Sequence, residues 1–264
     1  MFLASAVYLL PTTLFWTSGM LKESLAVLGL SGLIHTFFRK DVAWNWKNWL
    51  WLFLFGALLI NAKMYLFAIL FPGLLAHAWS ALHRDGKSAY RFLVTYALAI
   101  ACLFQLSSYL GFSPTEMMIR KQEEFKCLAE WMNAGSTIHL PDLDNSWSSF
   151  VLATPRALYN SLLRPMPWDG LNVLTTLSML EVFAILCLFV LSILFREREG
   201  QDLKTFTLTT LYFSLFLALL IGWTTPVLGA IVRYRMPIYL VLVPLTVAFI
   251  DWNGVEDLIK RKTS

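Results

Sequence analysis

Arg233-Tyr234-Arg235-Met236-Pro237 opens onto Ile238-Tyr239-Leu240-Val241-Leu242-Val243-Pro244-Leu245-Thr246-Val247-Ala248-Phe249-Ile250, an uncharged run entered through two cations. A helix rises about 1.5 Å per residue and satisfies its own backbone, so such a run is read as crossing a hydrocarbon core of about 30 Å. Outward from it the same pattern recurs at 1–16, 23–38, 48–61, 64–83, 90–110, 171–195 and 206–223, with the run itself read as 236–252. The expected fold is therefore all-α, a polytopic transmembrane helix bundle of about eight spans. Spans one to five occupy 1–110, a small helical extracytoplasmic loop region occupies 111–170, and spans six to eight with a cytoplasmic tail occupy 171–264.

Composition agrees with a bilayer as solvent. Hydrophobic residues make up 58% and charged residues 14% of the 264-residue chain, against roughly 45–50% and 25% in soluble domains. The net charge of +4 is spread over short clusters between apolar runs. That distribution argues against a nucleic-acid-binding face, which needs a continuous basic surface. Cys102 and Cys187 fall inside apolar runs and Cys127 in the long loop, so no disulfide framework is expected. Met1-Phe2-Leu3 carries no basic n-region of a signal peptide, and the chain is expected to lack an upstream part.

Loop charge sets the orientation. One side collects Arg39, Lys40, Lys47, Arg84, Lys87, Arg91, Arg196, Arg198, Lys204, Lys260, Arg261 and Lys262, while the short connections opposite hold Lys22, Lys63, Arg233 and Arg235. The positive-inside rule then puts both termini in the cytoplasm. Trp44, Trp46, Trp49 and Trp51 mark an interfacial aromatic belt at the start of the third span. The four outside cations stand where inward-running helices begin. A helix N-terminus already favours an anion, so Lys22, Lys63, Arg233 and Arg235 are read as binding substrate phosphate, with Pro237 in the first turn of the last span.

In the long loop, Ser113-Pro114-Thr115-Glu116 has capping-box spacing, and Met118, Phe125, Leu128 and Met132 then share one face of a helix ending near Asn133-Ala134-Gly135. Thr154-Pro155 is read as the start of a second helix that Pro165 and Pro167 stop. Glu23 and Asp169, each beside a span entrance, are the candidate general bases. Asp142 and Asp144 read as a solvated turn, with a divalent cation as the alternative for this Asp-x-Asp pair, and no metal site or cofactor is assigned. Glu181, deep in the sixth span, reads as a hydrogen-bonded acid joining two helices. Gly29-Leu30-Ser31-Gly32 permits close helix packing.

Three stretches carry a resemblance: 11–23 (PTTLFWTSGMLKE), 163–168 (LRPMPW) and 233–237 (RYRMP). Together they resemble the later part of bacterial multi-spanning glycosyltransferases of the GT-C type, similar to protein mannosyltransferases and aminoarabinose transferases. That resemblance implies a polyprenyl-phosphate-linked sugar as donor, work on the extracytoplasmic face of an inner membrane, and Arg233 and Arg235 as holders of the lipid-linked phosphate. The family's catalytic acid in the first outside loop has no visible equivalent here. The expected function is a membrane glycosyltransferase-like protein in cell-envelope glycan assembly, with membrane lipid and the polyprenyl-phosphate sugar as partners. A polysaccharide polymerase or ligase using Arg120, Arg156 or Arg164, and a non-catalytic subunit bound to another membrane protein, are the competing expectations.

Overall fold

A computed structural model of the chain describes residues 10–19, 22–39, 45–83, 85–169, 172–195 and 201–252. The expectations for residues 1–9, Lys40, Trp44, Arg84, Arg196, Arg198 and the cluster Lys260-Arg261-Lys262 lie outside the described residues. The helices are α1 (Pro11–Thr17), α2 (Lys22–Phe38), α3 (Trp46–Leu82), α4 (Ser88–Leu110), α5 (Pro114–Trp131), α6 (Trp147–Leu158), α7 (Val173–Leu194), α8 (Gln201–Thr224) and α9 (Leu228–Ala248). Among the described residues the only extended pairing is a bridge between Thr137 and Val227. Among the described residues five helices, α3, α4, α7, α8 and α9, are long and apolar enough to cross a membrane. The protein is thus all-helical and built for a bilayer. Of the first two expected spans, α1 has 7 described residues and α2 has 17, the latter a rise of about 26 Å.

α3 is two arms. At Lys63 the backbone leaves helical geometry (φ −154°, ψ 85°), and contacts with α2 show that the chain turns back on itself there. Gly29 lies against Leu59 and Gly32 against Phe55, so the arm 46–62 runs antiparallel to α2. Glu23 pairs with Lys63 and Phe38 packs its ring on His77, so the arm 64–82 runs parallel to it. Phe67 reaches within 3.5 Å of a Cβ built on Gly56, a contact that a straight helix, with about 16 Å of rise between them, forbids. The small residues of the Gly29–Gly32 stretch allow the approach: a Cβ on Gly29 would stand 3.0 Å from the Leu59 nitrogen. Lys63 therefore sits at the tip of a helical hairpin, as two spans at 48–61 and 64–83 require.

α9 is the centre of the bundle. In its apolar stretch 72% of residues are buried, against 11% in α4. Leu217, Phe213, Ile221, Ile231, Ile238 and Val243 form the core around it, while α3, α4 and α7 turn Phe53, Leu93, Leu103, Phe183 and Ile193 outward. An outward apolar surface on membrane-length helices is the surface lipid covers. Trp46, Trp49 and Trp51 are exposed at the start of α3, where an interfacial belt belongs.

α5 and α6 cap the end of the bundle that carries Lys63. α5 begins as expected, with the Ser113 hydroxyl accepting from the Glu116 N–H and Pro114 in the first turn, and it ends before Asn133, whose φ is +46°. Its buried face differs from the expected one. Gln122 and Ala129 are buried and Phe125 half-buried, while Leu128 and Met132 are exposed. Gln122 explains the rotation: its amide donates to the carbonyls of Pro141 and Trp223 at 3.0 and 2.8 Å and accepts from the Leu143 N–H. A buried amide so saturated ties the loop to the end of α8. α6 starts at Trp147, capped by Ser146, and not at Thr154; Pro155 lies inside it. It runs on as a π turn, Tyr159–Leu163, to Arg164. α6 crosses α8 at Gly222, where a Cβ would fall 2.0 Å from the Ala157 carbonyl oxygen.

Candidate functional site

The three stretches quoted above meet at the capped end of the bundle, around the first half of α9. α9 starts at Leu228, earlier than the sequence reading placed it, with Val227 as its N-cap. Pro237 is consequently inside the helix and not in its first turn. Arg235 stands about two turns in, so the free N–H groups of this helix end do not assist it. This corrects the expectation that the arginines share an anion site with the N-terminus of the last span.

The second correction concerns the arginines as a pair. Residues two apart on a helix point about 200° away from each other, and Arg233 and Arg235 enter different surroundings. The Arg233 Nε donates to Glu23 Oε1 at 2.7 Å, and its guanidinium lies over the Trp16 ring at 5.1 Å. Lys63 Nζ reaches the same Oε1 at 3.1 Å and sits 5.1 Å over the ring of Tyr234. Tyr234 in turn meets Phe125 of the cap. Glu23 is 1% exposed, Lys63 9% and Arg233 35%. This locus, two cations on one carboxylate oxygen, is drawn from α1, α2, the α3 tip and α9.

On the other face Arg235 is completely buried. Its Nη1 donates to the carbonyl oxygen of Arg164, and its guanidinium lies 5.0 Å from the Tyr239 ring centroid. Its Nε and Nη2 have no hydrogen-bond partner among the described residues, nor does the Tyr239 hydroxyl. Glu181, on α7, forms no ion pair with Arg235 among the described residues. Both Glu181 oxygens are taken by Thr12, through its N–H at 3.2 Å and its hydroxyl. That contact joins α7 to α1, as expected of an acid binding two helices together.

Asp169 approaches this second locus without touching it. Its Oδ1 pairs with Arg164 at 3.0 Å, and its Oδ2 accepts from the Met166 N–H at 2.8 Å. The π turn that ends α6 thereby presents the Arg164 carbonyl to Arg235 and the Arg164 side chain to Asp169. Of the six residues assigned from sequence, Glu23, Lys63 and Arg233 come together, Arg235 and Asp169 share the neighbourhood of Arg164, and Lys22 is exposed outside both groups. Sequence reasoning missed Trp16, Tyr234, Tyr239 and the Arg164 carbonyl as components. Trp16 and Tyr234 lay within the quoted stretches, but nothing in their order announced a cation over each ring.

Asp142 is held below the usual carboxylate range chiefly by Lys126, 2.5 Å away, and Asp144 by the Ser146 hydroxyl and N–H. Asp85, in the connection between α3 and α4, is lowered by its hydrogen bond with Arg91. Asp142 and Asp144 thus face different partners, and among the described residues no three His, Cys, Asp or Glu side chains gather as metal ligands. The free cysteines Cys102, Cys127 and Cys187 are exposed, and Arg120 and Arg156 are exposed away from both loci.

The fold and this end define a helical membrane-embedded protein with ion pairs packed into the capped end of its bundle. Searches against protein families, characterised proteins and solved structures found no match to the chain.

Proposed function

We propose that the chain is a glycosyltransferase-like membrane protein that binds a polyprenyl-phosphate-linked sugar at the capped end of its bundle, on the extracytoplasmic side, for cell-envelope glycan assembly. The observation that carries the reading is Arg235. A guanidinium is planar, permanently charged and built to grip phosphate through two parallel N–H groups. Here one such group is fully buried, with Nε and Nη2 unpaired. Unpaired buried charge is costly, and an anionic ligand offsets that cost. The sugar-bearing phosphodiester carries one negative charge, which this one cation matches. The resemblance of RYRMP and LRPMPW to GT-C transferases supplies the sugar and the polyprenyl chain, and the meeting of Arg164 with Arg235 supports it.

Neither Glu23 nor Asp169 stands free to deprotonate an acceptor hydroxyl. Glu23 lies between two cations and Asp169 has both oxygens engaged, so either acts as a base only after exchanging a partner. This favours a second reading, a non-catalytic subunit that binds the same lipid phosphate for a partner. The two separate in one experiment. Purified protein in nanodiscs is given a polyprenyl-phosphate sugar, and both binding and sugar transfer are read. Arg235→Ala is expected to weaken binding about 100-fold, the scale for losing a buried charge contact. Unchanged binding sinks both readings, whereas binding without transfer in the wild type selects the second.

A further inference from the structure

We infer that Lys63 and Arg233 form a second anion subsite, specific for a phosphomonoester on a lipid headgroup, and that the Glu23 carboxylate competes with that phosphate for it. The inference stands on its own observations and does not depend on Arg235, which faces the other side of α9.

The first observation is a mismatch of charge. Lys63 Nζ and Arg233 Nε both address Glu23 Oε1, at 3.1 and 2.7 Å, while Oε2 makes no hydrogen bond. One negative charge therefore answers two positive ones, in a place where Glu23 is 1% and Lys63 9% exposed. Surplus buried charge is expensive. A second observation is unused donor capacity. An ammonium has three N–H groups, and Lys63 makes no hydrogen bond of good geometry, only the ion pair and the contact with the Tyr234 ring. A phosphomonoester carries roughly −1.5 to −2 at neutral pH and has three strong acceptor oxygens. It balances both cations and engages their remaining N–H groups, which a carboxylate does not.

Access and location identify the carrier. Arg233 is 35% exposed and forms the open side of the cluster, with Glu23 and Lys63 behind it. Trp16 and Tyr234 place the two cations by packing under them. Lys63 is the tip of a hairpin whose arms turn apolar side chains outward, and the arm 64–82 rises about 28 Å, so the cluster is placed at the depth of lipid headgroups. A carboxylate that already sits on the cations keeps them neutralised enough to be buried, and it yields to a ligand of higher charge.

The test titrates phosphatidate, a phosphomonoester, into nanodiscs of phosphatidylcholine containing the full chain, with phosphatidylglycerol, a diester, as the comparison. Bound lipid is counted by native mass spectrometry. Glu23→Gln is expected to tighten phosphatidate binding about tenfold and phosphatidylglycerol binding much less, and adding Lys63→Ala is expected to cancel the gain. Unchanged or weaker phosphatidate binding in a folded Glu23→Gln protein overturns the proposal. Should that variant fail to fold, Glu23→Asp keeps the charge, withdraws it by one methylene, and is expected to show a smaller gain; no gain overturns the proposal equally. Inorganic phosphate competing as strongly as phosphatidate overturns the lipid assignment. Arg235→Ala is expected to leave the phosphatidate gain intact while weakening binding of the polyprenyl-phosphate sugar about 100-fold, so failure of one claim is told apart from failure of the other.

Discussion

Arg233 and Arg235 differ by two positions on one helix and by the whole of their electrostatic surroundings. Arg233 is partly exposed, shares a carboxylate with Lys63 and rests on a tryptophan; Arg235 is sealed, has one carbonyl as acceptor and leaves two of its nitrogens unpaired. The comparison teaches that adjacency in sequence is a poor guide to shared chemistry on a helix. A helix turns about 100° per residue, so an Arg-x-Arg motif serves two faces, and what each cation does depends on which other segment the fold brings to that face. Here α1, α2 and the α3 tip serve one arginine, and the end of α6 serves the other.

Substitutions that move one face and spare the other break or sharpen this division. The largest effect is expected from Gly222→Ala, because its Cβ would fall on the Ala157 carbonyl. Displacing α6 also displaces the Arg164 carbonyl from Arg235. A loss of about 3 kcal/mol, the upper end for overpacking, should appear in denaturant titration in detergent, with binding lost at the Arg235 locus before the Glu23 locus. Lys63→Ala comes next, at about 2–3 kcal/mol, since it removes one of the two cations holding a buried carboxylate. Retained thermal stability in that variant would show that Arg233 alone suffices for Glu23. Arg235→Lys is expected to keep the charge but lose the planar fork, weakening lipid-phosphate binding about tenfold, or 1.4 kcal/mol. Equal binding by lysine and arginine would mean that only charge matters there.

The smallest effect belongs to a control pair of the same chemistry in water. Lys126 and Asp142 stand 2.5 Å apart on the cap, and Lys126→Ala is expected to leave the melting temperature unchanged within error. Because Lys126 holds Asp142 below its usual range, what that pair contributes is present above about pH 4. It fades only as stronger acid protonates the folded carboxylate. Equal melting of wild type and Lys126→Ala at both pH 7 and pH 3 is the expected outcome, and a variant that melts measurably earlier at pH 7 alone would show that the pair contributes more than a solvated ion pair does.

Much of this fold was legible because bilayer physics writes long uncharged runs. The runs 64–83, 90–110, 171–195 and 206–223 coincide closely with helical segments, and the break between 48–61 and 64–83 falls at Lys63, where a charge interrupts apolar sequence. Helix starts were less legible. Ser113-Pro114 declared itself by capping chemistry, whereas α9 begins at Leu228 behind Val227, with no side-chain cap to mark it. Reading Pro237 as a first-turn residue followed from local preference, and packing overrode it: in the most buried helix, neighbours hold a proline that an isolated helix would place at its end. The buried face of α5 was misplaced for a related reason. Hydrophobic periodicity cannot anticipate that Gln122, a polar residue, faces inward to tie three backbone groups.

The site was legible as an inventory and illegible as a geometry. Sequence named Glu23, Lys63, Arg233, Arg235 and Asp169, but paired the two arginines and kept both acids as bases. The pairing of Glu23 with cations from 63 and 233 depends on a chain reversal and on the burial of α9. Neither is encoded in the residues around Glu23.

The hairpin at Lys63 also has a consequence for the order of assembly. During synthesis Glu23 emerges before Lys63, so the tip can be neutralised as soon as the second arm is inserted, and no lone charge waits in the lipid phase. Arg233 arrives only with α9, which is made after every other helix described and is the one the rest surround. The triad is therefore complete only when the bundle has received its centre.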